Sequence, residues 1–118
     1  MSGAGDPRPP GAGGDREGGE AGEAFVAAAA GSYRLQAPLQ FASVPRLRGL
    51  GLRLIAAAAD ELTLDLEAVP AVDSAGLALL IDWLASARAA GKRLRYARPP
   101  QALVALARLS DVEPLLTG

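Results

Sequence analysis

The sequence predicts an α/β domain with a mostly four-stranded mixed sheet and helices packed on it. Three observations lead there. Short β-leaning runs such as "LTLDL" and "RLRYA" are separated by stretches with helical apolar spacing, the pattern of strands joined by helical crossovers. Half of the 118 residues are hydrophobic, enough for one core. Only five are Phe, Trp or Tyr, so that core is built mainly from Leu, Val, Ile and Ala.

The first 22 residues, "MSGAGDPRPPGAGGDREGGEAG", contain eight Gly and three Pro and almost nothing apolar. Such a segment cannot offset its ordering entropy by burial, so 1–22 is expected to be a disordered leader and 23–118 the domain. "AFVAAAA" suits a first strand, although its alanines fit a helix almost as well. Gly31 and Ser32 suit a hairpin turn into a second strand, "YRLQAPL", which Pro38 should end. Ser43 is placed to cap a helix from Val44, with Pro45 in its first turn. Leu47, Leu50, Leu54 and Ala58 form its apolar stripe. Gly49 and Gly51 weaken this helix, or else allow close packing on a sheet.

"LTLDL" alternates as a strand. From Gly76 to Ala90 the spacing is helical, with Leu77, Leu80, Ile81, Leu84 and the stem of Arg88 on the expected inner face. Gly91 is the expected stop. "RLRYA" reads as a strand. Pro99 and Pro100 then open a helix with Leu103, Leu106 and Ala107 inward, and Val112, Leu115 and Leu116 are expected to pack against the domain.

Composition removes several function classes. The net charge of −1 offers no global attraction to nucleic acid or anionic lipid. The chain has no Cys and no His, so disulfides, thiolate nucleophiles, Cys/His zinc sites and a histidine base are excluded. The remaining carboxylates show no metal-ligand spacing, and neither metal nor cofactor is expected. "AAGKR" is not a phosphate loop, because Ser86 replaces the first Gly and Arg93 the final hydroxyl residue. No apolar run approaches the roughly 18 residues of a membrane span, and the start lacks a secretory signal. Direct membrane insertion is therefore not expected.

The informative stretch is "AVPAVDSAGLALLIDWL", where Asp73 and Ser74 directly precede a long apolar helix. Either they cap that helix through its free amides, or they present a site at the carboxyl edge of the sheet. A phosphate on Ser74 would be tolerated by the helix dipole and would add about −1.5 to −2 charges to a surface a partner touches. Leu79 and Trp83 fall off the centre of the expected inner face. They read either as the edge of the core or as an apolar flank that a partner covers. Arg88, Lys92, Arg93, Arg95 and Arg98 form either a solvated face or a patch for an acidic partner. An Asp-Ser pair without a nearby base is a poor nucleophile, so an enzyme is not expected.

The segment "VDSAGLALLIDWLASARAAGKRLRYARPPQALVALARLSDVEPLL" resembles a STAS domain, the module of anti-sigma factor antagonists and sulfate-transporter tails. The likeness in element order runs from about Ala24 to Leu116. In antagonists of this family, the serine matching Ser74 is phosphorylated by a kinase that is also the binding partner. "GLALLIDWLASARAAGK" followed by "PPQALVALARLSDVEPLL" is more similar to one branch, the small STAS subunits of the lipid-asymmetry maintenance (Mla) phospholipid ABC transporters. In that branch the subunit binds the cytoplasmic ATPase, with the residue matching Ser74 at the contact. The resemblance implies a non-catalytic cytoplasmic subunit, held at the inner membrane by an ABC ATPase partner. Ser74, with Asp73, Leu79 and Trp83, is then the expected contact. The alternative is an antagonist controlled by phosphorylation of Ser74, with an anti-sigma factor kinase as partner.

Overall fold

A computed structural model describes residues 24–117. The leader expected over 1–22 lies outside the described residues. The order is β1 (Phe25–Ala29), β2 (Ser32–Leu35), α1 (Val44–Ala57), β3 (Glu61–Asp65), α2 (Ser74–Ala89), β4 (Arg93–Ala97), α3 (Gln101–Leu109) and α4 (Glu113–Thr117).

The four strands form one sheet in the order β1-β2-β3-β4. β1 and β2 are an antiparallel hairpin, whereas β2–β3 and β3–β4 are parallel. A two-residue turn suffices for the hairpin, and parallel neighbours need the longer crossovers that α1 and α2 supply. Both crossovers step the same way across the sheet, so right-handed connections put α1 and α2 on one face. Strand burial agrees: Leu62, Leu64 and Leu94 are buried, while Glu61, Arg93 and Arg95, which point to the opposite face, are exposed. Gly31 and Gly91 adopt positive φ (72° and 74°) where the hairpin turns and where α2 stops, conformations that favour glycine.

α2 runs through the middle of the core. Its buried residues are Gly76, Leu77, Leu79, Leu80, Trp83 and Ala87, while Ile81 and Leu84 are half-buried. This face is turned by about a quarter turn from the one expected from Leu77, Ile81 and Leu84, at about 100° per residue. The helix is apolar almost all the way round, so periodicity alone does not set its rotation. Contacts with α1 set it instead. Trp83 is 0% exposed, and a methyl group at Gly51 of α1 would overlap its ring. Gly51 therefore opens the notch that Trp83 fills: the close approach it permits is between helices rather than onto the sheet. Gly49 has nothing packed over it.

Two further expectations are corrected. Ser43 precedes α1 but makes no cap bond to it; its Oγ lies 2.6 Å from the Pro38 carbonyl and accepts the Gln40 N–H at 3.1 Å. Leu115 is 53% exposed, because α4 turns only Leu116 fully inward.

Candidate functional site

The carboxyl ends of β2 and β3 lead into two loops that meet beside the start of α2. The Leu39 N–H donates to the Ala71 carbonyl (2.9 Å) and the Asp73 N–H to the Leu39 carbonyl (3.0 Å). This single parallel bridge extends the sheet beyond β2 and β3. Gly76 presses against it so closely that a Cβ there would overlap the Leu39 carbonyl.

Asp73 ties the two loops together. Its Oδ1 accepts the Gly76 N–H at 3.1 Å, capping α2, and its Oδ2 accepts the Phe41 N–H at 3.0 Å. The Phe41 and Gly76 amides favour the ionised carboxylate, holding Asp73 below the ordinary aspartate value of 3.8. The cap reading of Asp73 is thus observed, with a second bond that spacing could not reveal.

Ser74, the first residue of α2, is exposed. Phe41, whose amide Asp73 fixes, leaves its ring 81% exposed. Leu109 is as exposed, at 85%, so what distinguishes Phe41 is its position, on a turn whose amide is bonded to the residue preceding Ser74. Further along the same edge, Arg98 bonds Asp65 and lies 2.9 Å from Glu67. That bond is the main reason the Asp65 carboxyl also lies below 3.8. Arg98 has φ 52°. Its two partners anchor the entrance to the loop that leads to Asp73.

Of the four expected contact residues, the structure brings Asp73 and Ser74 together and separates the other two. Leu79 is 3% exposed and Trp83 0%, with the Trp83 Nε1 donating to the Arg48 carbonyl at 3.3 Å. Both are core residues, and the expectation of an apolar flank on α2 is corrected. The physical reason is the Gly51 notch, which removes Trp83 from the surface. The exposed residue bonded to Asp73 that sequence spacing did not single out is Phe41. Its signal was an aromatic inside the turn "QFAS", outside any apolar periodicity.

The site has no nucleophile–base pair, since the chain lacks His and Ser74 adjoins only a carboxylate already occupied by two amides. Among the described residues no cluster of three His, Cys, Asp or Glu could hold a metal. What the arrangement offers is an exposed hydroxyl at a helix start and an exposed aromatic side chain on a turn whose backbone Asp73 holds.

A four-stranded mixed sheet with its helices on one face and a serine opening the helix after β3 is the architecture of a STAS domain. The chain belongs to the family described as the Mlab STAS domain, whose model matches residues 26–117. No curated protein matches the sequence. Among solved structures, one assigned as an anti-sigma factor antagonist from Thermotoga maritima is similar with a TM-score of 0.65 at 14% identity. It covers 79% of this chain and 81% of its own. The antagonist SpoIIAA in its unphosphorylated form has a TM-score of 0.62 at 18% identity, covering 79% of this chain and 84% of its own. The phosphorylated form of the Bacillus cell fate determinant SpoIIAA gives 0.58 at 18%, covering 79% and 86%. At such identities these likenesses establish the fold. Among the described residues, no helix is long and apolar enough to cross a membrane.

Proposed function

We propose that this chain is a non-catalytic STAS subunit that docks on the cytoplasmic ATPase of a phospholipid-transporting ABC system maintaining outer-membrane lipid asymmetry. The docking surface is the carboxyl-edge face around Phe41 and Ser74. The observation that carries the reading is Phe41, exposed on a turn that Asp73 pins beside Ser74. A turn whose backbone is held before binding loses less entropy in the complex, which suits a segment that carries an aromatic anchor. The family's description supports the choice of partner. In this reading the subunit stays in the cytoplasm and reaches the inner membrane only through the ATPase.

The test is titration of the purified cognate ATPase subunit with wild type, Phe41→Ala and Ser74→Glu, alongside unfolding measurements. Phe41→Ala should weaken binding by at least about 2 kcal/mol, as anchors do. Its unfolding free energy should change by no more than about 0.5 kcal/mol, as at other surface sites. Ser74→Glu should fold normally, since negative charge suits a helix start, and bind more weakly because a charge enters the contact. If both variants bind like wild type, this face is not the contact.

A second reading, an antagonist of an anti-sigma factor kinase, is favoured by the exposure of Ser74 at the start of a helix whose dipole tolerates a phosphate. ATP-dependent phosphorylation of Ser74 by such a kinase, with no affinity for the ATPase, would select it.

A further inference from the structure

The opposite end of α2 carries a groove that the docking surface does not use. It lies between the last turns of α2, the start of β4 and α4, is open to solvent on one side, and has a volume of about 610 Å³. That volume is within the usual range of small-molecule sites, about 300–1,000 Å³. Its walls include Ile81, Leu84, Leu94 and Leu115, and Leu115 stands 53% exposed. The charged residues lining it, Arg88, Lys92 and Arg93, are all basic.

These three cations differ in what they already hold. Arg93 Nη1 is 2.7 Å from a Glu61 carboxylate oxygen, so its charge is met. The Lys92 Nζ donates to the carbonyls of Ile55 (2.8 Å) and Ala56 (2.7 Å) at the end of α1. Its charge is fixed at the wall without a carboxylate. Arg88, exposed in the last turn of α2, makes no ion pair among the described residues. The groove thus combines an apolar floor, a stationary positive charge and a guanidinium open to an anion.

We infer that this groove binds a single-chain anionic amphiphile, its chain against Ile81, Leu84, Leu94 and Leu115 and its anionic head on Arg88. Apolar burial supplies the affinity, and the head fixes the orientation. The apolar walls and wholly basic charged lining match a hydrocarbon chain with an anionic head. Arg88 is 14 residues from Ser74, about 21 Å along the helix at 1.5 Å per residue, so a ligand here leaves the docking surface free.

The test is calorimetric titration of the full chain with monomeric dodecanoate. The controls are dodecyl maltoside, which shares the chain but lacks the charge, and butanoate, which shares the head but lacks the chain. Arg88→Gln and Leu115→Ser alter exposed side chains, and unchanged melting temperatures would show that both variants fold. Saturable one-to-one binding of dodecanoate is expected, weakened about tenfold or more in each variant, a difference of about 1.4 kcal/mol. Both controls should bind at least about tenfold more weakly. The inference is overturned if dodecanoate shows no saturable binding, if either variant binds like wild type, or if either control binds as tightly. It is also overturned if the chain ignores dodecanoate yet sediments with phosphatidylglycerol vesicles through Arg88, which would make the groove a membrane-contact patch.

Discussion

The middle of α2 and its first turn are attached to the rest of the domain by different physics. In the middle, Trp83 is wholly buried in the space Gly51 leaves open, with the Phe25 ring 6.0 Å away, centre to centre. At the start, Asp73 divides its two oxygens between the Gly76 amide and the Phe41 amide. The first attachment is shape complementarity between large and small side chains. The second satisfies backbone donors across two loops and leaves Ser74 and Phe41 in solvent. One helix is therefore anchored chiefly by a buried ring in its middle, with a single Trp83 hydrogen bond to the Arg48 carbonyl, and by a bonded carboxylate at its exposed start. The chain's largest aromatic belongs to the fold; the exposed one belongs to the candidate site.

The largest expected effect breaks the packed attachment. Trp83→Ala should destabilise the domain by about 3–5 kcal/mol, the usual cost of removing a buried large aromatic. Gly51→Ala should cost about 1–3 kcal/mol by overpacking against the same ring. Combining Gly51→Ala with Trp83→Leu should cost less than the sum of the two changes, because the smaller side chain makes room for the methyl group. Denaturant unfolding of the four variants measures this. Strict additivity would mean that the notch is not what positions Trp83.

The next test strikes where the two attachments meet. Gly76→Ala places a methyl group on the Leu39 carbonyl, which belongs to backbone and cannot swing aside. The strain should reach about 1–3 kcal/mol, and relief requires the Leu39–Val72 bridge to part. Because that bridge carries the turn holding Phe41, partner affinity should fall along with stability. Amide exchange at Leu39 and Asp73, whose N–H groups make the bridge, should accelerate in the variant. Unchanged exchange there would show that the strain is absorbed elsewhere.

How far the sequence disclosed all this depended on the kind of interaction. Alternation in "LTLDL" and "RLRYA" placed β3 and β4 within a residue, because strand burial has a period of two and one face of this sheet is covered. Proline and glycine at 45, 91, 99 and 100 marked helix ends through their own backbone restrictions. Asp73 and Ser74 were legible because a helix start has local chemistry. The rotation of α2 was not. It depends on Gly51, 32 residues from Trp83, and no local pattern encodes that fit. The aromatic inside "QFAS" was visible locally, but the bond that holds its turn was not, since the carboxylate lies 32 residues away.

The smallest effect isolates the polar attachment by pH. Folding favours ionised Asp73, because the Phe41 and Gly76 amides donate to its carboxylate and set its value below 3.8. The unfolded chain therefore binds the proton more readily. The stability contributed by Asp73 is present above about pH 4 and is lost as pH falls through the folded value. Asp73→Asn keeps an oxygen for the Gly76 amide, but it sets an NH₂ group where Oδ2 accepted the Phe41 N–H. Wild type should melt above the variant at pH 6, and the gap should narrow as pH is lowered toward 2. Asp65, also held below 3.8, chiefly by Arg98, titrates in both proteins and cancels in the difference. A gap that stays constant with pH would show that the carboxylate's charge does not hold the Phe41 turn. The backbone of the turn would then be held by the Leu39 bridge alone.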